Sequence, residues 1–333
     1  MTAPGRAPFP CVVLASRACD ADLGVVAALL AKIGVSCLRL DADSVASLRL
    51  LADAGTGVLQ VGEHRVMPTV SWVRHFTARA IRASGGGARD LFLRDSWQAL
   101  ITQLGLVSRA AISPQRPGLL MQLRTAANLG VSVPRTVAVS DLSLAREAIP
   151  APRLVLKALA GHFVEAAPGR LTGTYPEVVD RRRLNASWPQ PTAPVLVQEF
   201  IEHRAELRVY YVSGDIHGFI VTKAAPSDLW LDPGRVRACT AALSPAVRSA
   251  TRRIAQALGL NYAALDFLMR DSEPVFLEAN PDGDWRWLET RAGTAEVTTA
   301  VARMLRDLHR ESIPARPGGG PVPGRFDLLR FLA

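Results

Sequence analysis

The sequence predicts an α/β protein with an open α/β unit first, a small antiparallel β-rich unit next, and an α+β unit of hairpins and helices last. Three observations predict this arrangement. Residues 10–40 alternate between a buried strand, a helix and another strand. Short β-rich segments separated by glycines follow one another from Arg135 onward. Two long hairpins, over 206–223 and 265–279, are each followed by a helical pattern.

Composition limits the classes of protein that this chain can be. Hydrophobic residues make up 49% of the 333 residues and charged residues 21%, which is typical of a folded protein. No apolar run is long enough to cross a bilayer, so we expect no membrane partner. The four cysteines are scattered without metal-ligand spacing, which favours reduced thiols and a cytoplasmic location.

The net charge of +9 comes almost entirely from arginine, because Lys32, Lys157 and Lys223 are the only lysines. A basic surface suits an acidic partner such as a nucleotide or an acidic peptide. The arginines are dispersed and no nucleic-acid-binding motif is present, so we expect no nucleic-acid partner.

The first unit has a clear order of elements. A helix capped by Asp20 or Asp22 follows the first strand, and no Gly-x-Gly-x-x-Gly turn lies between them, so dinucleotide binding is not indicated. The expected elements are a strand at 11–15, a helix to Ile33, a strand at 35–40, a hairpin near 58–66, a strand at 69–74 and a helix at about 89–106.

The rest of the chain is divided by glycine and proline. Gly130 ends a helix, Gly161, Gly169 and Gly173 mark tight turns, and Ser244-Pro245 begins a helix. The expected helices cover 119–129, 141–148, 245–258 and 294–310, and the expected strands cover 135–139, 153–158, 162–167, 170–174, 195–201, 206–212, 216–223, 265–270 and 274–279. We expect domains at 1–112, 113–195 and 196–312, with a Pro/Gly-rich linker and tail at 313–333.

The second hairpin carries the most informative residues. If its turn at Asp271-Ser272 is centred near Ser272, Asp266 lies directly opposite Glu278, since both are equally distant from the turn. Period-two alternation places Asn280 on the same face as Glu278. Two carboxylates and a carboxamide among apolar residues form an oxygen-only site of the kind that suits magnesium. The alternative is a solvated hairpin with incidental acidic residues.

The β-rich middle supplies candidate nucleotide contacts. Lys157 ends an apolar strand before a small-residue turn, where it can reach phosphate oxygens; a strand-edge lysine that reaches solvent is the alternative. The linker Gln198-Glu199-Phe200-Ile201 can offer backbone N–H and C=O groups to adenine. Glu206 can accept hydrogen bonds from ribose hydroxyls and Arg208 can bind an anion, or the two can form a surface ion pair.

The order of these elements resembles the ATP-grasp ligases of the glutathione-synthetase-like group over about residues 115–310. A narrower resemblance is to the graspetide (microviridin-type) peptide ligases, whose endings typically read Phe-Leu-Glu-x-Asn-Pro-x-Gly-x-Trp-x-Trp-Leu-Glu. The chain has Phe276-Leu-Glu-Ala-Asn-Pro-Asp-Gly-Asp-Trp-Arg-Trp-Leu-Glu289. The segments Gln122–Pro134 and Thr69–Arg74, with its Trp-x-Arg, are also similar to that subgroup. Ordinary packing at the start of a helix is the alternative explanation for Trp285 and Trp287.

The resemblance implies an ATP-grasp fold, with the first unit in front and the second as a lid, and implies ATP and Mg²⁺ as cofactors. It implies metal binding by Asp266, Glu278 and Asn280, and nucleotide binding by Lys157, Glu206 and the linker residues Gln198, Glu199, Phe200 and Ile201. It also implies a catalytic role for Arg208, which would bind the acyl phosphate. The implied partner is a ribosomal precursor peptide, with a leader and an acidic core, in which Asp or Glu side chains are activated and joined to Thr, Ser or Lys by ester or amide bonds. A homodimer is possible, and the sequence leaves the oligomeric state open.

The sequence departs from the subgroup at two places. The family usually has a lysine near 119, where this chain has Leu119, and Asp-Trp-Arg where this chain has Asp228-Leu229-Trp230. Lys223, Arg235 and Arg237 are candidates to replace the missing arginine, and we assign a catalytic role to Lys223 among them. The alternative functions are a small-molecule or amino-acid ligase of the same fold, and a non-catalytic peptide-binding protein derived from it.

Overall fold

The computed structural model describes residues 7–83, 85–159, 161, 163–184, 191, 193–203, 205–223, 233–270 and 273–313. The Asp271-Ser272 turn, the Asp228–Trp230 segment and residues 314–333 lie outside the described residues. Among the described helices, none combines the length and the apolar character that crossing a membrane requires.

The N-terminal sheet is mixed, with strand order β2-β1-β5-β4-β3 and a short β6 beside β5. Strand β1 is parallel to both of its neighbours, and β3, β4 and β5 run antiparallel to one another. Asp20 caps the first helix by accepting a hydrogen bond from the backbone N of Leu23. The elements are β1 Phe9–Ser16, α1 Ala21–Lys32, β2 Cys37–Asp41, β3 Leu50–Asp53, β4 Val58–Val61, β5 His64–Val73, α2 Gly87–Val107 and β6 Ala110–Ala111.

The central part of the chain forms two antiparallel sheets where the sequence predicts one small lid. A four-stranded sheet has the order β11-β8-β12-β7, and β9 and β10 form a separate two-stranded sheet among the described residues. The elements are α3 Leu119–Asn128, β7 Thr136–Val139, α4 Leu142–Ala148, β8 Arg153–Ala158, β9 Phe163–Ala167, β10 Arg170–Gly173, β11 Glu177–Asp180 and β12 Val195–Glu199.

The C-terminal sheet is antiparallel throughout, with strand order β15-β14-β13-β16-β17. Ser244 caps the helix that begins at Pro245, as the sequence predicts. The elements are β13 Ala205–Val212, β14 Asp215–Thr222, β15 Arg237–Thr240, α5 Pro245–Ala257, β16 Tyr262–Arg270, β17 Glu273–Asn280, α6 Arg286–Ala292 and α7 Glu296–Glu311.

The C-terminal sheet is buried on both faces. Tyr210 and Tyr262 on one face share a hydrophobic core with Trp72 of β5, with α1 and with α7. Leu265 and Phe276 on the other face pack with residues of α3 and α5. Because one core joins the N-terminal and C-terminal sheets, β5 can position groups beside the last strand of the C-terminal sheet.

The predicted and observed elements differ in a few places. The expected hairpin near 58–66 and the strand at 69–74 merge, because His64–Val73 is one ten-residue strand. Some strands at sheet edges were not predicted, and each of these has four residues: Leu50–Asp53, Glu177–Asp180 and Arg237–Thr240. Strands this short carry too little alternation to be distinguished from loops.

Candidate functional site

The predicted site residues lie around two connected cavities between the central and C-terminal sheets. The first is a slot of about 140 Å³, lined largely by apolar side chains. The second is a wider cleft of about 970 Å³ with several charged residues in its wall. Lys157, Arg208, Glu278 and Trp287 line both cavities and therefore mark their junction.

Asp266 and Glu278 lie directly opposite each other on β16 and β17, as the sequence predicts. The hairpin reaches this pairing by an unexpected route. Arg270 pairs with Glu273, a register in which a regular ladder would place Leu277 opposite Asp266, and a β-bulge between Asp266 and Phe267 shifts the register by one residue. The shift leaves Leu277 as the extra residue of β17 and brings Glu278 opposite Asp266.

The bulge also separates Phe276 from Glu278. Strict alternation would put these two side chains on the same face of the sheet. In the structure, Phe276 is fully buried in the core against α3 and α5, whereas Glu278 lines the cleft. A sheet without the bulge would have to expose the phenyl ring or bury the carboxylate, so the bulge makes the site compatible with the core.

Asn280 lies at the end of β17, opposite Ala264, and lines the cleft together with Glu278. Its side-chain Oδ1 accepts a hydrogen bond of 2.9 Å from the backbone N of Asp282. This contact fixes which end of the carboxamide is the oxygen and leaves that oxygen a second lone pair.

Arg208 of β13 is the direct neighbour of Asp266 and forms an ion pair with it, with 2.7 Å between Nη1 and Oδ2. Burial raises the pKa of Asp266 to about 6, and Glu278 adds to this rise while Arg208 opposes it. Burial would lower the pKa of Arg208, but Asp266, Tyr210 and Glu278 together raise it overall. Two facing carboxylates with one guanidinium leave a net negative charge at this position.

Glu206 binds Lys223 and His203 and not Arg208. The Lys223 Nζ lies 2.8 Å from Oε2 of Glu206, and the His203 Nε2 lies 3.2 Å from Oε1. Although burial would raise the pKa of Glu206, His203 and Lys223 lower it overall, and Glu206 raises the pKa of His203. The alternative in which Glu206 and Arg208 form an ion pair is therefore wrong. His203 lies in the wall of the slot and was not predicted as a site residue, although it lies three residues before Glu206.

Lys157 does not reach solvent from a sheet edge, so that alternative is wrong. Its strand β8 lies between β11 and β12, and the Lys157 Nζ donates to Oε1 of Gln198 over 3.0 Å. Gln198 is buried and donates its Nε2 to Oγ1 of Thr136, also over 3.0 Å. The glutamine thus holds the ammonium group at the junction of the two cavities.

The linker from Gln198 to Ile201 lines the slot, but part of its backbone is already hydrogen-bonded. The N–H groups of Glu199 and Phe200 donate to the carbonyls of Arg135 and Arg153. The expectation that these two N–H groups are available to adenine is therefore wrong. The N–H of Ile201 has no partner among the described residues, and its carbonyl accepts from Nδ1 of His203.

The structure shows where Leu119 and the candidates for the missing arginine lie. Leu119 begins α3, lines the cleft and packs against the core of the C-terminal sheet. Of the three candidates for the missing arginine, Lys223 lines the slot, whereas Arg235 and Arg237 are not among the described lining residues of either cavity. The two tryptophans lie in different environments: Trp285 is fully buried in the core, and Trp287 lines both cavities.

The donor set fits a magnesium ion. Asp266, Glu278 and Asn280 supply only oxygen ligands, and the two facing carboxylates need a positive charge. Among the described residues, no group of three or more His, Cys, Asp or Glu side chains is arranged to hold a metal. With two carboxylates and one carboxamide, the remaining ligands would be phosphate oxygens and water, as Mg²⁺ commonly takes.

Comparison with solved structures identifies the fold. The chain superposes on macrocyclase MdnC of Microcystis aeruginosa, solved with its precursor peptide MdnA, over 89% of this chain and 99% of that one, with a TM-score of 0.72 and 18% identity. ATP-grasp ligase PsnB, solved with a phosphomimetic variant of a minimal precursor, Mg and ADP, matches over 89% and 98%, with a TM-score of 0.71 and 17% identity. Macrocyclase MdnB of Microcystis aeruginosa matches over 89% and 98%, with a TM-score of 0.66 and 22% identity. The predicted ATP-grasp fold is confirmed.

Sequence relatives match a smaller part of the chain. A probable alpha-L-glutamate ligase of Syntrophotalea carbinolica is 30% identical over 114 residues, which are 33% of this chain and 38% of the relative. A probable alpha-L-glutamate ligase 1 of Hahella chejuensis is 30% identical over 126 residues, 37% of this chain and 41% of the relative. The matched stretch spans about two-fifths of the length of these curated relatives. No family model matches the sequence.

Proposed function

We propose that this chain is an ATP-dependent carboxylate ligase that acts on a ribosomal precursor peptide. It activates Asp or Glu side chains of the peptide as acyl phosphates and joins them to hydroxyl or amino groups of the same peptide. One observation carries the proposal: the cations Lys157 and Arg208 and the facing pair Asp266 and Glu278 meet where the slot opens into the wide cleft.

In this proposal the nucleotide base occupies the slot. Phe200, Ile201 and Leu268 line it with apolar surface, and Glu206 lies in its wall within reach of ribose hydroxyls. Lys157 then binds the phosphates, with its ammonium group positioned by Gln198. Asp266, Glu278 and Asn280 would hold Mg²⁺, which supplies positive charge against the phosphate oxygens when it is bound.

The chemistry requires two displacements. A carboxylate oxygen of the peptide bonds to the γ-phosphorus of ATP while the bond to ADP breaks. The hydroxyl or amine then bonds to the acyl carbon, the C–O bond to phosphate breaks, and the nucleophile loses its proton. Formation of each ring therefore removes one water equivalent from the peptide and consumes one ATP.

The cationic side chains of the site act in the second displacement. Arg208 lies in the wall of both cavities, so its guanidinium can bind the acyl-phosphate oxygens. Lys223 adds a second positive charge on the slot side. We also propose that the region between about 135 and 195 closes over the intermediate, because an acyl phosphate is hydrolysed unless water is excluded.

Two observations support a peptide as the substrate. The neighbours MdnC and PsnB were solved with precursor peptides. The cleft beside Lys157 and Arg208 measures about 970 Å³, which is room for more than one residue of a peptide. Basic side chains in its wall, Lys157 and Arg208 among them, can bind acidic side chains of that peptide.

An amino-acid ligase is the second candidate, and the 30% identity to probable alpha-L-glutamate ligases favours it. That reaction would use the same acyl-phosphate chemistry but would lengthen a chain by one residue and would not close a ring.

Incubation with ATP and Mg²⁺ separates the candidates. The purified chain is given either a peptide encoded beside its own gene and rich in Asp, Glu, Thr, Ser or Lys, or free glutamate with an acidic peptide. Phosphate release is measured, and the masses of the peptide products are determined by mass spectrometry. We expect a loss of one water per ring from the first peptide; a gain of glutamate residues would favour the second candidate. Nucleotide binding without phosphate release in either mixture would indicate a non-catalytic binding protein.

A further inference from the structure

The loop at residues 281–285 follows β17 directly and folds back on Asn280. The backbone N of Asp282 donates to Oδ1 of Asn280 over 2.9 Å, and the backbone N of Gly283 donates to its carbonyl over 3.2 Å. The orientation of the Asn280 carboxamide therefore depends on where this loop lies.

Groups from the N-terminal part of the chain hold the loop in place. Nη2 of Arg74, which follows β5, donates to the carbonyls of Asp282 and Gly283 over 3.1 and 3.0 Å and to Oδ1 of Asp284 over 2.6 Å. Asp22, in the first turn of α1, accepts from the backbone N of Trp285 over 2.9 Å. Three consecutive residues of the loop are thus tied to a single guanidinium.

The position of Arg74 is itself tightly determined. Its side chain has 0% exposure and ion-pairs with Asp20 and Asp22 at 3.0 and 3.3 Å. The guanidinium carbon lies 4.6 Å from the centre of the Trp285 ring. A buried cation with this many partners has little freedom to move, because any displacement would leave a charge unpaired.

The loop also packs against the sheet beside the carboxylate pair. A Cβ on Gly283 would lie 2.4 Å from Cβ of Ala264 and 3.2 Å from Nη2 of Arg208. Only glycine permits this approach, so a shift of the loop would be felt at both Asn280 and Arg208.

We propose that Arg74 is a positioning residue for the metal site: with Asp22 it holds the 281–285 loop so that Asn280 is oriented to share a cation with Asp266 and Glu278. This inference rests on the proposed function, because it assigns Arg74 to that nucleotide and metal site. It also gives a reason for the two sequence features Trp72-x-Arg74 and Asp282-Gly-Asp-Trp285 to occur in one chain, since they contact each other.

The test compares Arg74→Lys and Gly283→Ala with the control Arg39→Lys. Lysine keeps the charge but has no second nitrogen, so it cannot bind Asp20, as Nη1 of Arg74 does, and hold the loop, as Nη2 does, at the same time. Gly283→Ala moves the loop without changing any charge. Arg39 lies on β2, pairs with Asp41 at 2.6 Å and is not among the described residues that line the cleft. For each folded variant, binding of a fluorescent ATP analogue is measured at increasing Mg²⁺ concentration, alongside thermal unfolding.

We expect both loop variants to need at least about tenfold more Mg²⁺ for half-maximal binding than the wild type, as is typical when a group that orients a metal ligand is lost. Arg39→Lys should stay within about twofold of the wild type. A lower melting temperature with an unchanged Mg²⁺ requirement in the folded loop variants would mean that Arg74 only stabilises the fold, and would overturn the inference. If Arg74→Lys does not fold, Gly283→Ala decides. A wild type that binds no nucleotide at any Mg²⁺ concentration would instead overturn the proposed function, and the inference with it.

Discussion

Replacing Glu278 by glutamine should make the protein more stable without ligand and unable to turn over ATP. Glu278 faces Asp266 directly across β16 and β17. In the absence of a cation the two carboxylates repel each other, and Glu278→Gln removes one of the two charges while keeping the shape of the side chain. The same change removes a proposed magnesium ligand.

The size of the stability change follows from the geometry. Two unit charges about 5 Å apart interact with about 3 kcal/mol at an effective dielectric constant of about 20. Solvent reaches 23% of the Asp266 side chain, and Arg208 neutralises part of its charge at 2.7 Å. We therefore expect a gain of about 1 kcal/mol, or a rise of about 1–3 °C in the melting temperature.

Thermal unfolding with and without MgATP is the assay. Saturating ligand at about 100 times its Kd should stabilise the wild type by about 2.7 kcal/mol and leave Glu278→Gln nearly unchanged, so that the order of the two melting temperatures reverses. Phosphate release should be lost in the variant. A variant that is less stable than the wild type without ligand and that still turns over ATP would refute the reasoning about this pair.

Three further predictions follow from other parts of the site. Because burial raises the pKa of Asp266 to about 6, Mg²⁺-dependent nucleotide binding should weaken as the pH falls through that value, by about tenfold per pH unit below it; equal affinities at pH 7 and pH 5 would contradict this. Lys157→Ala should weaken ATP binding by about tenfold or more in a direct titration, as removal of a charge-assisted contact does, while the control Lys32→Ala, at an exposed lysine, should not. Trp285→Ala should lower the free energy of unfolding by about 3–5 kcal/mol in urea, because Trp285 is fully buried, whereas Trp287→Ala, at the half-buried cleft tryptophan, should lower it by less.

The facing carboxylates show what a sequence pattern can and cannot predict. Counting from the turn gives the correct partners for Asp266 and Glu278 but not the bulge that produces them. Residue counting assumes a regular ladder, whereas the bulge arises because Phe276 has to enter the core against α3 and α5. Packing of side chains from distant segments therefore sets a register that local rules do not contain.

The partners of the charged residues were also beyond the sequence. Arg208 and Glu206 lie two residues apart on one strand, so a pair between them is the simplest local expectation. In the structure, Arg208 pairs with Asp266 and Glu206 pairs with Lys223. Neighbouring strands bring these opposite charges closer together than the spacing along β13 brings Glu206 and Arg208. Strand order, which involves residues far apart in the chain, decides the pairing.

The sequence by itself determined most of the helices and strands in their order, because hydrophobic periodicity, caps and turn residues act over a few neighbouring positions. The ATP-grasp fold and the residue types of the site were predicted from the resemblance of its motifs to a known family. Only the tertiary structure decided that Arg74 holds the 281–285 loop, that Gln198 holds Lys157 and that Trp285 is core while Trp287 is cleft. These contacts join residues up to about two hundred positions apart, and their geometry exists only once the sheets share a core.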